Sequence, residues 1–217
     1  MITSEKTIRV FLADDHVMVR EGLAALVSRD DRFEVVGQTG DGMAALEQIG
    51  QLKPDVAILD ITMPGLNGLD VCRELAKRAS GTAILMLTIH DDDQFIARAL
   101  EYGASGYLLK EAAVDQLINA LQTVANGQVY LGQGISRAVL QRIARGGEDP
   151  YDRLTSRERQ VLQLIVEGKT SRQVADNLGL AVKTVETHRC HLMQKLNIHD
   201  QTCLVKYALR RGIVSLE

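Results

Sequence analysis

Four short aliphatic runs in the first half of the chain stop at residues that can do chemistry. Ile8-Arg9-Val10-Phe11-Leu12-Ala13 runs into Asp14 and Asp15, and Val56-Ala57-Ile58-Leu59 into Asp60. Ala83-Ile84-Leu85-Met86-Leu87 runs into Thr88, and Tyr107-Leu108-Leu109 into Lys110. A further short run is Phe33-Glu34-Val35-Val36-Gly37. Runs this continuous mean strands buried on both faces, as in a parallel sheet. Helix-period stretches near 17–29, 41–51, 67–79, 92–102 and 112–126 alternate with them, and Gly103 and Gly127 stand where C-caps fall. The alternation predicts a doubly wound α/β domain built on a five-stranded parallel sheet.

The second half changes character. It has no convincing strand, and helical periods appear near 133–145, 155–167, 171–178, 182–196 and 200–211. Residues 146–150, Gly-Gly-Glu-Asp-Pro, form a polar, breaker-rich stretch. The expected organisation is an α/β domain over 1–127, a linker with a helix over 128–150, and an all-α domain over 151–217. Charge divides the same way: residues 1–125 hold 19 acidic and 11 basic side chains, residues 126–217 hold 9 and 14. Such a split suits two domains with different partners, the basic one a candidate for nucleic acid. Cys72, Cys190 and Cys203 form no close-spaced pair and read as reduced thiols, neither a disulfide framework nor a zinc site. No apolar run approaches the roughly 18 residues of a membrane span. The polar start, Met1 to Thr7, is not a signal peptide, so a cytoplasmic address is expected.

In an open parallel sheet, ligands bind beyond the carboxyl ends of the strands. Asp14, Asp15, Asp60, Thr88 and Lys110 should therefore converge on one rim. Three carboxylates at one point repel unless a cation joins them, and oxygen ligands with room for water suit Mg²⁺. A lysine and a hydroxyl alongside are placed to hold anionic oxygens. That is equipment for phosphoryl transfer to a carboxylate nucleophile. The Asp91-Asp92-Asp93 run and Asp41 read instead as helix starts, where carboxylates meet the positive end of the dipole. His90, two after Thr88, reads as a loop histidine, with tuning of a phosphate's lifetime as the alternative.

Asp14-Asp15-His16, Leu59-Asp60-Ile61-Thr62-Met63-Pro64-Gly65, Leu87-Thr88 and Gly106-Tyr107-Leu108-Leu109-Lys110 resemble the receiver domain of bacterial response regulators over about residues 6–126. The resemblance implies a flavodoxin-like fold with Asp60 as phospho-acceptor from a phosphohistidine on a sensor histidine kinase. Asp14, Asp15, Asp60 and the backbone carbonyl of Thr62 would hold Mg²⁺. Lys110 would pair with the phosphoryl group, Thr88 would move toward it, and Tyr107 would swing inward as Thr88 moves. Glu111 stands where many receivers have proline.

In the second half, Thr155 and Glu158 form a capping-box pattern ahead of the apolar face of Val161, Leu162, Leu164, Ile165 and Val166. Thr170-Ser171 caps the next helix, Gly179-Leu180 turns the chain, and 182–196 follows with Val185, Leu192 and Leu196 inward. This is a helix–turn–helix shape, its outer face offering Lys183, Thr184, Thr187, His188 and Arg189 to phosphates and base edges. The stretch 154–162, the segment 182–188 and Lys195-Leu196 are similar to the LuxR-type DNA-binding domain over about 150–214. That resemblance implies 182–196 as recognition helix, 200–211 as dimer contact, and Lys195 on a DNA phosphate. Glu186, His191 and Gln201 depart from frequent residues at their positions.

The two halves in this order resemble the NarL/FixJ class of response regulators. The implied function is a transcription factor that is a stoichiometric phospho-acceptor, with slow autodephosphorylation, rather than an enzyme. Phosphorylation would favour a DNA-binding homodimer, by uncovering 182–196, by creating a dimer surface, or both. The expected partners are a sensor histidine kinase, double-stranded DNA with inverted-repeat sites, and RNA polymerase. One rival is an aspartyl-nucleophile hydrolase, which would need a second Asp where Thr62 stands. The other is a constitutive DNA-binding protein with a phosphorylation-independent receiver scaffold.

Overall fold

The structure is a computed structural model that describes residues 7–132 and 149–214. The helix expected at 133–145 lies outside the described residues. The first domain runs β1 (Ile8–Ala13), α1 (Val17–Val27), β2 (Phe33–Thr39), α2 (Gly42–Leu52), β3 (Val56–Leu59), α3 (Gly68–Lys77), β4 (Ala83–Thr88), α4 (Asp93–Glu101), β5 (Gly106–Leu109), α5 (Ala113–Ala125) and β6 (Tyr130–Leu131). All strand pairs are parallel, in the order β2-β1-β3-β4-β5-β6.

Strand alternation sends successive side chains to opposite faces. Phe11, Ala13, Ala57, Leu59, Ile84, Met86 and Tyr107 pack against α2, α3 and α4. Val10, Leu12, Val56, Ile58, Leu85, Leu87 and Leu108 pack against α1 and α5. Both faces being covered is why the runs read as continuous rather than alternating. The sixth strand corrects the five-stranded expectation. Tyr130 and Leu131 lie in what the sequence pattern reads as linker, and two residues are too few to carry a period.

The second domain runs through a 3₁₀ turn (Pro150–Arg153), α6 (Ser156–Val166), α7 (Ser171–Leu178), α8 (Val182–Leu196) and α9 (Gln201–Arg210). Its core joins Val161, Leu162, Leu164, Ile165, Val174, Val185, Leu192, Leu196 and Leu204. The expected capping box closes at both ends: Glu158 N–H donates to Thr155 Oγ1 and Thr155 N–H to Glu158 Oε2. α7 starts on a second one, Thr170 with Gln173, and ends on Gly179 in the left-handed region. No described helix is long and apolar enough to cross a membrane.

The two domains are docked. One face of α6 lies on α3 and on the loop between β3 and α3. Ser156 Oγ donates to Glu74 at 2.7 Å, and Arg159, 2% exposed, stands 3.6 Å from Asp70. Tyr151 donates its hydroxyl to Asp70, while Arg73 and Tyr102 both reach Asp152 at 2.7 Å. Gly212, at φ +65°, lets the turn after α9 press on Phe95, where a Cβ would stand 2.5 Å from the ring. The polar face of α6 is therefore buried between domains.

Candidate functional site

Strand order reverses between β1 and β3, and the acidic residues lie at the carboxyl ends of those two strands. Asp60 N–H donates to the Ala13 carbonyl at 2.8 Å, which ties the two strand ends together. Gly68 is needed directly behind them: its N–H donates to the Ile61 carbonyl, and a Cβ there would run into the Asp60 carbonyl. Asp14 and Asp60 are 3% and 4% exposed, and Asp15 is half-buried. Ligand atoms of Asp14, Asp15, His16 and Asp60 all lie within 4.8 Å of one another. Lys110, on the 3₁₀ turn after β5, reaches across with its ammonium 2.7 Å from both Asp14 Oδ2 and Asp60 Oδ2.

Like charges about 4 Å apart cost about 4 kcal/mol at the effective dielectric of a protein rim. One lysine against three carboxylates leaves a surplus of two negative charges, and Lys110 alone does not balance the group. Hard oxygen donors around that surplus fit a small divalent cation. Burial lifts the Asp60 carboxyl above its ordinary range, against the pull of Lys110. Burial works against the charge on Lys110, and Asp60 and Asp14 together hold its ammonium above the usual value.

The other rim residues meet through His90. Its ring lies 3.2 Å from Thr62 Oγ1 and stacks on Phe95 at 4.4 Å. Its backbone N–H donates to Thr88 Oγ1 at 3.4 Å, and its backbone carbonyl accepts the Tyr107 hydroxyl at 2.7 Å. Thr88 and Tyr107 are fully buried, so Tyr107 points inward here. Burial keeps the His90 ring below its usual pKa, against the pull of the Asp60 carboxylate. His90 lies in a loop as expected, two after Thr88, and its bonds to Thr62 and Tyr107 place it on the same rim.

In the second domain, α8 exposes Lys183, Thr184 and Thr187, with His188 and Arg189 partly exposed. A shallow surface cleft is lined by Ala181, Lys183, Thr184, Thr187, His188 and His191. The Thr187 hydroxyl donates to the Lys183 carbonyl, and Arg189 reaches Gln201 at 3.3 Å. Lys195 stands apart from this group: its ammonium lies 2.6 Å from Glu158 Oε2. The receiver-like domain does not cover the outer face of α8. It packs against α6 and the end of α9 instead.

Comparison with known proteins covers both halves. Residues 10–122 match the response regulator receiver domain, and residues 152–208 match the bacterial regulatory proteins of the luxR family. The transcriptional regulatory protein MctR of Rhizobium johnstonii is 38% identical over 214 residues, 99% of each chain. The solved response regulator ChrA, of a heme-sensing two-component system, is 34% identical over 96% of this chain and 99% of its own, with a TM-score of 0.52. RcsB from Salmonella enterica serovar Typhimurium, solved on promoter DNA with the phosphomimetic BeF₃⁻, is 27% identical over 93% of this chain and 98% of its own, with a TM-score of 0.58. An acidic rim closing a parallel sheet, an exposed helix–turn–helix and these matches along the whole chain lead to one assignment: it belongs to the response regulators that join a receiver domain to a LuxR-type DNA-binding domain, and it is a transcription factor of that family.

Proposed function

We propose that Asp60 accepts a phosphoryl group from a phosphohistidine of a sensor histidine kinase, and that this shifts the chain toward a DNA-binding homodimer. A carboxylate oxygen of Asp60 bonds to phosphorus as the phosphorus–nitrogen bond breaks, and the electron pair returns to the kinase imidazole. Asp14, Asp15, Asp60 and the carbonyl of Thr62 hold Mg²⁺, whose chemistry when bound is to neutralise charge on the phosphoryl oxygens. Lys110 moves from its two carboxylates to pair with the new anion. Thr88 donates its hydroxyl to a phosphoryl oxygen, while Tyr107, already inward with its hydroxyl on the His90 carbonyl, leaves the space beside Thr88 open. The aspartyl phosphate is lost slowly by the protein's own autodephosphorylation.

Lys183, Thr184, Thr187, His188 and Arg189 meet DNA in the cytoplasm, on inverted-repeat sites that suit a two-fold dimer and lie within reach of RNA polymerase. The observation that carries this reading is Lys110 bridging Asp14 and Asp60 at 2.7 Å each, a cation already seated where an incoming anion needs one. Intact mass after incubation with acetyl phosphate and Mg²⁺ tests it, with the same samples run on a sizing column. One phosphoryl adduct and a shift to dimer are expected, both absent in Asp60→Asn. No adduct in the wild type overturns the reading.

The exposed outer face of α8 favours a second reading, in which DNA binding is constitutive and the receiver is a phosphorylation-independent scaffold. Normal reporter output from Asp60→Asn would establish it.

A further inference from the structure

The loop from Ile61 to Asn67 follows the proposed phospho-acceptor directly and carries the Thr62 carbonyl. Three of its backbone groups are held by the DNA-binding domain. Gln163 Nε2 donates to the Met63 carbonyl at 2.6 Å, and Gln163 Oε1 accepts the Asn67 N–H at 2.7 Å. Glu167 Oε1 accepts the Gly65 N–H at 2.9 Å and also a bond from Gln163 Nε2 at 3.0 Å. Gln163 is 1% exposed.

These residues belong to one stripe of α6. Ser156, Arg159, Gln163 and Glu167 recur every three or four positions and so share a helix face. The first two attach α6 to α3 at Glu74 and Asp70. The last two, further along the same helix, land on the loop itself. Docking onto α3 alone would hold the domains together. The Gln163 and Glu167 contacts do something different, because they fix the orientation of successive loop peptides from outside the receiver.

We propose that Gln163 and Glu167 are positioning residues for the phospho-acceptor site, holding the Ile61–Asn67 loop in its unphosphorylated arrangement, so that the DNA-binding domain restrains phosphorylation of its own receiver. This rests on the phospho-acceptor reading of Asp60. Any rearrangement of this loop around a phosphoryl group that turns the peptides at Met63 and Gly65 breaks their bonds to Gln163 and Glu167. Turning them strands buried donors and acceptors on both sides of the interface. Linkage then works both ways at equilibrium: if phosphorylation favours release of α6, a docked α6 disfavours phosphorylation by the same factor, and the rate follows as far as the loop has turned in the transition state.

The test is the initial rate of phosphorylation of the full chain by acetyl phosphate with Mg²⁺, read by intact mass. Gln163→Met keeps the side-chain length and removes both loop bonds. Gln163→Glu keeps the acceptor for Asn67 but sets a carboxylate against the Met63 carbonyl and Glu167. Both variants are expected to phosphorylate about fivefold faster than wild type or more, the worth of one net hydrogen bond. Glu167→Ala speeds the reaction too, while Glu167→Gln, which still offers an acceptor to Gly65, stays near the wild-type rate. Binding of the unphosphorylated variants to a single DNA half-site controls for folding, because neither side chain lies on the outer face of α8. Wild-type or slower rates in Gln163→Met and Gln163→Glu, with half-site binding intact, overturn the proposal. No adduct even in wild type overturns the phospho-acceptor reading, and this inference with it.

Discussion

Lys195 closes on Glu158 with bonds of 2.9 and 2.6 Å, linking the end of α8 to the start of α6. The residue whose place in the LuxR-type pattern suggests a DNA phosphate is engaged inside its own domain. Glu158 also completes the capping box with Thr155, so one carboxylate serves two helices.

Glu158 makes the stability of the DNA-binding domain depend on acid. Burial pushes its carboxyl up, but the Lys195 ammonium and the Thr155 N–H outweigh that and hold it below the ordinary range. A carboxyl lowered in the folded state contributes its stability above the unfolded value and loses it as pH falls through the folded value. Thermal unfolding of this domain should drop between about pH 6 and 3, and Glu158→Gln should flatten that part of the profile. At neutral pH the same variant should cost about 1.5 kcal/mol, as expected for hydrogen bonds to a charged group. An unchanged pH profile in Glu158→Gln would sink this assignment.

The docked arrangement leaves the outer face of α8 open, which bears on how DNA binding is controlled. The unphosphorylated chain should bind a single half-site weakly but measurably. Lys183→Ala should lower that affinity and reduce the salt slope by about one unit, as for loss of one phosphate contact. Titration at several salt concentrations reads both effects. If the unphosphorylated chain binds no half-site while the phosphorylated chain does, the face is closed in solution.

The sequence already carries the five rim residues, because strands buried on both faces announce themselves as aliphatic runs and the residue after each run marks the rim. Capping chemistry locates α6 as well, through Thr155 and Glu158. The docking of the domains was not legible. Arg159, Gln160 and Gln163 share the polar side of α6, and a helical period says which side chains share a face but not what covers it. The partners, Asp70, Met63 and Asn67, lie some 90 to 100 positions away. His90 does lie in a loop, but its bonds to Thr62 and Tyr107, 28 and 17 positions away, are not written in the local pattern.

Lys110 is the only lysine or arginine among the described residues paired with either Asp14 or Asp60. Lys110→Met should leave the acidic group without its cation. Breaking a buried pair costs about 3 kcal/mol or more, so the variant receiver should melt lower in the presence of a chelator. Mg²⁺ should then raise its melting temperature by more than it raises that of the wild type, since binding to the folded state stabilises in proportion to affinity. Calorimetry with chelator and with Mg²⁺ separates the two. Equal Mg²⁺ shifts in both proteins would mean that Lys110 and the metal do not share those carboxylates.

Asp70 and Arg159 pose a different energetic question, because their pair spans two domains. Asp70→Asn leaves the Arg159 guanidinium in the interface with the Glu74 carboxylate alone, at 3.8 Å, while its bond to the Leu154 carbonyl at 2.6 Å survives within its own domain. A buried charge that loses a partner costs up to about 3–5 kcal/mol. Here the cost is capped at the free energy of docking, since opening the interface returns Arg159 to water with both domains still folded. The variant should therefore separate its domains rather than melt them. Small-angle scattering should show a larger radius of gyration for Asp70→Asn, with the unfolding transitions of both domains close to wild type. A lowered melting temperature with an unchanged radius would mean that the pair supports the fold of the receiver instead of its docking.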